Sequence, residues 1–137
     1  MMVAAAPGAP VVPWAGGMPK NILIVDDSKF SRLSLRAIIA DKFPEFYICE
    51  AANGTEALGI ADEMLLDVVF LDYNMPGDDG LTVGRAIHAR QPTARLAMVT
   101  ANVQGVLAEE VRAAGIEFMG KPIRAEAIVE FLNRASS

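Results

Sequence analysis

What this chain lacks narrows its reading first. Cys49 is the single cysteine among 137 residues. It can form no internal disulfide and no multi-cysteine metal site, so a reducing compartment, the cytoplasm, is the expectation. His88 is the single histidine and Trp14 the single tryptophan. No apolar run approaches the roughly 20 residues that a helix needs to cross a bilayer. There is no dense block of lysine and arginine, and the net charge is −5. Nucleic acid and anionic membrane surfaces are therefore not expected partners. What remains is 53% apolar and 21% charged, the composition of one soluble globular domain with a sizeable core.

Residues 1–19 are rich in Ala, Pro and Gly and read as a flexible tail. They carry no basic n-region, and Pro7, Pro10 and Pro13 interrupt any apolar helix, so a signal peptide is not expected. Met18 sits just before the first strand and is a candidate true start, which mass analysis of the native N-terminus would decide. Trp14 reads as an unpacked tail residue. The folded domain is expected over 20–137.

From Asn21 the pattern becomes regular. Short β-branched apolar runs predict strands at Ile22–Val25, Phe46–Glu50, Asp67–Leu71, Leu96–Val99 and Ile116–Met119. Helical spacing predicts helices at Ser28–Ala40, Gly54–Met64, Leu81–Arg90, Val103–Ala114 and Arg124–Arg134, the fourth closed by Gly115. In the first helix Leu35, Ile38 and Ile39 form the core stripe. Met75–Gly80 reads as a loop. This (βα)5 rhythm, with nearly continuous apolar strands, predicts an α/β fold whose parallel sheet is covered on both faces.

The polar residues fall at the strand ends. Asp26 and Asp27 follow the first strand, Asp72 the third, Thr100 the fourth and Lys121 the fifth. In an open parallel sheet all carboxyl ends share one edge, where ligands bind. Five residues spread over the chain therefore converge. A pair of like charges about 4 Å apart costs on the order of 4 kcal/mol at an effective dielectric near 20. A divalent cation relieves such a cluster, and all-oxygen ligands point to Mg²⁺ rather than zinc. Lys121 and Thr100 suit phosphate oxygens, and a carboxylate can serve as a phosphoryl acceptor. Strand-end placement alone does not say which aspartate accepts.

Four stretches resemble the receiver domain of two-component response regulators, the CheY-like family. They are Ile22-Leu23-Ile24-Val25-Asp26-Asp27-Ser28, Val69-Phe70-Leu71-Asp72-Tyr73-Asn74-Met75-Pro76 with Gly80, Met98-Val99-Thr100-Ala101, and Phe118-Met119-Gly120-Lys121-Pro122. The resemblance implies a flavodoxin-like, doubly wound five-stranded sheet of order 2-1-3-4-5. It implies Asp72 as phosphoacceptor, with Asp27, Asp72 and the Asn74 backbone carbonyl on Mg²⁺ and Asp26 acting through a metal-bound water. Thr100 would bond the phosphoryl group, Lys121 would pair with it, and Phe118 would be the aromatic switch residue. The Lys121–Pro122 bond is often cis in that family. Asn74 and Asn102 would flank the water that removes the phosphoryl group.

The implied function is a stand-alone response regulator. It would be phosphorylated by a histidine kinase or a phosphotransfer protein and would switch effector binding at the fourth helix, fifth strand and fifth helix. It would be a switch, not an enzyme with turnover. Two alternatives stand beside it: a haloacid-dehalogenase-like Mg²⁺-dependent phosphatase and a phosphorylation-independent scaffold. The first is disfavoured because Ser28, not an aspartate, stands two residues after Asp26, and no acidic strand-end pair follows Lys121. Elsewhere, Asp78-Asp79-Gly80 reads as a turn and helix N-cap, Glu109-Glu110 as a solvated face and His88 as a surface or structural residue. Cys49 reads as a core thiol in a buried strand. Phe30, Leu33 and Ala37 lie opposite the core stripe of the first helix, and Phe30 and Leu33 are candidate contacts for the phosphodonor.

Overall fold

The computed structural model describes residues 19–101 and 105–135. Strands and helices alternate: β1 (Asn21–Val25), α1 (Lys29–Lys42), β2 (Tyr47–Ala51), α2 (Gly54–Glu63), β3 (Val68–Leu71), α3 (Gly80–Arg90), β4 (Arg95–Thr100), α4 (Gly105–Ala113), β5 (Glu117–Gly120) and α5 (Ala125–Ala135). The five strands form one parallel sheet of order β2-β1-β3-β4-β5, as expected for a flavodoxin-like doubly wound fold. Residues 1–18 of the predicted tail, Trp14 and Met18 among them, lie outside the described residues, as do Asn102 and Val103.

Strand alternation builds two cores. Successive side chains of a strand point to opposite faces. In β1, Leu23 and Val25 pack with Ala57, Ala61, Val83, Ile87, Leu107 and Val111 on one face. Ile22 and Ile24 pack with Leu35, Ile39, Ile128, Phe131 and Leu132 on the other. Helices α2, α3 and α4 therefore cover one face, and α1 and α5 the other. The starts of α1, α2 and α3 are capped by side chains, as Ser28 accepts the Ser31 N–H, Asn53 the Glu56 N–H and Asp79 the Thr82 N–H. Gly115 follows α4 with φ +81°, the left-handed position expected of a helix-terminating glycine.

The edge strands depart from expectation. β2 has a strand neighbour on one side, so Tyr47 lies 59% exposed and Cys49 is half-buried rather than sealed in the core. The Cys49 thiol donates to the Ile22 carbonyl at 3.3 Å, and burial pushes its pKa up. Phe46 does not begin β2; its ring stacks on Phe43 with centroids 4.8 Å apart, closing the core below α1. Ile38 is only partly buried, at the margin of the α1 stripe.

At the amino-terminal edge of the sheet, polar groups are paired. Asp67 accepts the Asn21 N–H at 2.7 Å through its carboxylate, and its own N–H donates to the Asn21 carbonyl at 2.9 Å. Gln91, 8% exposed, accepts the Leu66 N–H at 2.7 Å. Its amide donates to Ala61 and Met64 carbonyls at 2.8 and 2.7 Å, tying α2, β3 and α3 together.

Candidate functional site

The carboxyl-terminal edge is built by extending the strand ladders one residue past each strand. The Asp26 N–H donates to Ala51 at 3.1 Å, the Asp72 N–H to Val25 at 2.9 Å and the Lys121 N–H to Thr100 at 2.9 Å. Sheet hydrogen bonds thus fix the backbones that carry these side chains. Asp26 and Asp72 stand where the strand order reverses around β1 and β3, the point at which open α/β sheets bind ligands.

The predicted residues meet there. Asp26, Asp27 and Asp72 each bring a carboxylate oxygen within 4.8 Å of the others. Asp26, Asp72 and Thr100 are buried, at 6%, 7% and 0% exposure, while Asp27 is exposed. The Lys121 ammonium lies 3.1 Å from Asp26 Oδ2, 3.6 Å from Asp72 Oδ2 and 3.5 Å from Ser31 Oγ. Asp26 Oδ1 accepts the Ser28 N–H at 2.9 Å. The Lys121–Pro122 peptide is cis.

One ammonium does not balance three carboxylates. Burial, the largest effect, pushes the Asp72 carboxyl above its ordinary value. Lys121 opposes the rise, Asp26 adds to it, and weaker hydrogen bonding from the Thr100 side chain and the Asn74 backbone opposes it. Asp72 Oδ1 is nevertheless buried without a hydrogen-bond partner. Native proteins leave few buried polar atoms unpaired, and such an atom calls for a function. The excess charge, the orphaned oxygen and an all-oxygen donor set together fit a hard divalent cation.

Other predicted residues lie around this centre. Asn74 is exposed two residues beyond Asp72. Phe118, on β5 opposite Met98, is half-buried against the α2–α3–α4 core, with the Arg112 guanidinium 5.9 Å from its ring centroid. Phe30 and Leu33 project from α1, 80% and 48% exposed, and Ala37 is exposed with them. His88, Glu109 and Glu110 are exposed on helices.

Two features take their reason only from the structure. Gly80 stands so close to the chain leaving β3 that a Cβ there would lie 2.2 Å from the Asp72 carbonyl oxygen and 2.8 Å from Tyr73 Cα. Its N–H donates to the Tyr73 carbonyl at 2.9 Å, so the start of α3 packs directly on the Asp72 backbone. The glycine was visible as part of a motif, but the reason for it was not. The second feature is Arg32, which donates to the Asp26 carbonyl at 2.6 Å. Inside a helix it reads as an ordinary surface cation.

Comparison with known proteins identifies the family. Residues 22–133 match the response regulator receiver domain model. The chain is 36% identical over 117 residues to a chemotaxis protein CheY of Listeria monocytogenes, covering 85% of this chain and 98% of that one. Among solved structures, chemotaxis response regulator CheY4 of Vibrio cholerae superposes with a TM-score of 0.76 at 26% identity, covering 86% of this chain and 99% of that one. A response regulator from Burkholderia pseudomallei, solved with a phosphorylated aspartic acid and a calcium ion, superposes with a TM-score of 0.76 at 25% identity, covering 85% and 69%. With the match spanning most of the sheet and the strand ends, the chain belongs to the response regulator receiver domain family.

Proposed function

We propose that Asp72 accepts a phosphoryl group from a phosphohistidine on a histidine kinase or phosphotransfer protein, and that its arrival switches effector binding. The observation that carries this reading is the buried Asp72 carboxylate, with one oxygen unpaired and Lys121 3.6 Å from the other. In the transfer a carboxylate oxygen forms the new bond to phosphorus, the P–N bond breaks, and the departing imidazole takes a proton. Asp26, Asp27, Asp72 and the Asn74 backbone carbonyl would hold Mg²⁺, which when bound offsets the carboxylate charge and the charge of the phosphoryl oxygens. Lys121 adds a second cation to the same oxygens.

A phosphoryl group brings close to two negative charges and three acceptors. Thr100, the last residue of β4, supplies a hydroxyl to one of these acceptors. Its movement frees space for the Phe118 ring, and the surface of α4, β5 and α5 changes shape for an effector. Phe118 has no hydroxyl, so the change is read as packing. The event is a switch rather than turnover of a diffusing substrate. Water beside Asn74 and Asn102 would reset it.

We infer that Phe30 and Leu33 contact the phosphodonor: both are exposed apolar side chains near the start of α1, which follows Asp26 and Asp27 in the chain, and such side chains suit a partner helix. The double variant Phe30→Ala with Leu33→Ala should slow transfer from the kinase and spare transfer from acetyl phosphate; equal slowing of both contradicts this role. No helix among the described residues is long and apolar enough to cross a membrane, and we place the protein in the cytoplasm with its phosphodonor. The central test is labelling by acetyl phosphate with Mg²⁺. Wild-type protein should incorporate label and Asp72→Asn should not; equal incorporation by both refutes the assignment.

A further inference from the structure

The β1–α1 turn supplies two of the three clustered carboxylates, and a side chain from the next helical turn holds it. Arg32 divides its guanidinium between two elements. One terminal nitrogen donates to the Asp26 carbonyl at 2.6 Å, and Nε donates to Glu50 Oε1 on β2 at 2.9 Å. Glu50 is held again by Arg36 at 3.0 Å, and Arg36 reaches the Ile48 carbonyl at 3.2 Å. The Arg32 side chain is only 15% exposed, well below the 42% of Arg36, so it is a packed strut rather than a solvated charge.

The consequence lies in the peptide that Arg32 grips. A peptide unit is planar. Fixing the Asp26 carbonyl oxygen therefore fixes the Asp27 nitrogen and Cα, and the Ser28 N–H, bonded to Asp26 Oδ1 at 2.9 Å, holds the peptide on the other side of Asp27; the two together set the direction in which the Asp27 side chain leaves the backbone. Asp26 is already pinned by its N–H to Ala51 and by its carboxylate to Ser28 and Lys121. Asp27 is the exposed member of the cluster. We propose that Arg32 is a positioning residue for the divalent-cation site: it holds the Asp26–Asp27 peptide so that the Asp27 carboxylate stands beside Asp26 and Asp72, and Glu50 orients its guanidinium. This inference rests on the cluster binding a divalent cation.

Charge and positioning predict opposite results here. By Coulomb's law alone, removing the Arg32 cation should tighten binding of another cation nearby. Loss of positioning should weaken it, by about tenfold, the lower end of effects seen when partners of metal ligands are removed. The experiment is calorimetric titration of Mg²⁺ into wild type, Arg32→Gln, Arg32→Lys and Arg36→Gln, each shown to be folded by circular dichroism without Mg²⁺. Arg32→Gln should bind about tenfold more weakly, and Arg36→Gln, which shares Glu50 but does not touch Asp26, should not weaken. Labelling of Asp72 in Arg32→Gln should regain the wild-type maximal rate at saturating Mg²⁺, so the loss sits in the Mg²⁺ dependence. A folded Arg32→Gln that binds Mg²⁺ as tightly as wild type, or more tightly, overturns the proposal. If Arg32→Gln does not fold, Arg32→Lys decides: it keeps the charge but loses the rigid planar fork whose two nitrogens reach separate acceptors, so weaker binding supports the proposal and equal binding overturns it. No Mg²⁺ binding by wild type would instead overturn the reading of the cluster as a cation site, and the role of Arg32 with it.

Discussion

Asp67 and Asp72 bracket the same strand, β3, and are treated in opposite ways. Asp67, at its amino end, accepts a backbone N–H at 2.7 Å, and one residue earlier the Leu66 N–H is held by Gln91, which bonds three backbone groups. Asp72, at its carboxyl end, is buried beside two more carboxylates with one oxygen unpaired. The amino edge spends its polar side chains on closing the fold. The carboxyl edge leaves carboxylates crowded and one oxygen unpaired, and under the proposed function a cation and a phosphoryl group would complete them. In this sheet, the pairing of polar groups tells structure from function better than their burial does.

Among substitutions at the two edges of the sheet, the largest effect is expected at Gly80. Gly80→Ala sets a methyl group 2.2 Å from the Asp72 carbonyl oxygen, against backbone that cannot step aside. Urea unfolding should show a loss of about 3 kcal/mol, and Asp72 labelling should slow as well. At the opposite edge, Gln91→Leu leaves the Leu66 N–H and two carbonyls unpaired. It should cost about 2 kcal/mol while labelling at saturating Mg²⁺ stays at the wild-type rate. If Gln91→Leu impaired labelling in protein that is still folded, the separation of the two edges would fail.

Removing charge at the carboxyl edge should do the reverse. Asp26→Asn relieves repulsion and should raise stability without Mg²⁺ by about 1 kcal/mol, while shrinking the rise in melting temperature that Mg²⁺ gives the wild type. A loss of metal-free stability would show that Lys121 outweighs the carboxylates. The smallest effect is the pH dependence. The folded state holds the Asp72 proton more tightly than the unfolded state, because burial raises its pKa above the ordinary 3.8. Its contribution to stability is fully present below that ordinary value and is lost as pH rises through the raised folded value. The stability of Asp72→Asn relative to wild type, without Mg²⁺, should therefore grow as pH rises through this window; a difference that does not change with pH contradicts the shift.

Much of this was legible in the sequence because parallel strands report their own ends. Each apolar run of the inner strands stops at a polar residue, and a parallel sheet brings those residues to one edge. Side chains whose partners are remote were not legible. Arg32 meets Glu50 across a helix–strand packing that no local spacing announces, and Gln91 reads as a polar residue near a helix end until its three partners are seen. The buried strand expected around Tyr47 failed for a related reason. Apolar composition marks a strand without saying whether it has neighbours on both sides, and β2 is an edge.

In the proposed switch, an Asp72 carboxylate oxygen forms the new bond to phosphorus. The most direct measurement is reductive trapping of the acyl phosphate with borohydride after treatment with acetyl phosphate and Mg²⁺, followed by peptide mass mapping. The account predicts modification at Asp72 alone, and none without Mg²⁺. Modification at Asp26 or Asp27, or none at all in the presence of Mg²⁺, would contradict it.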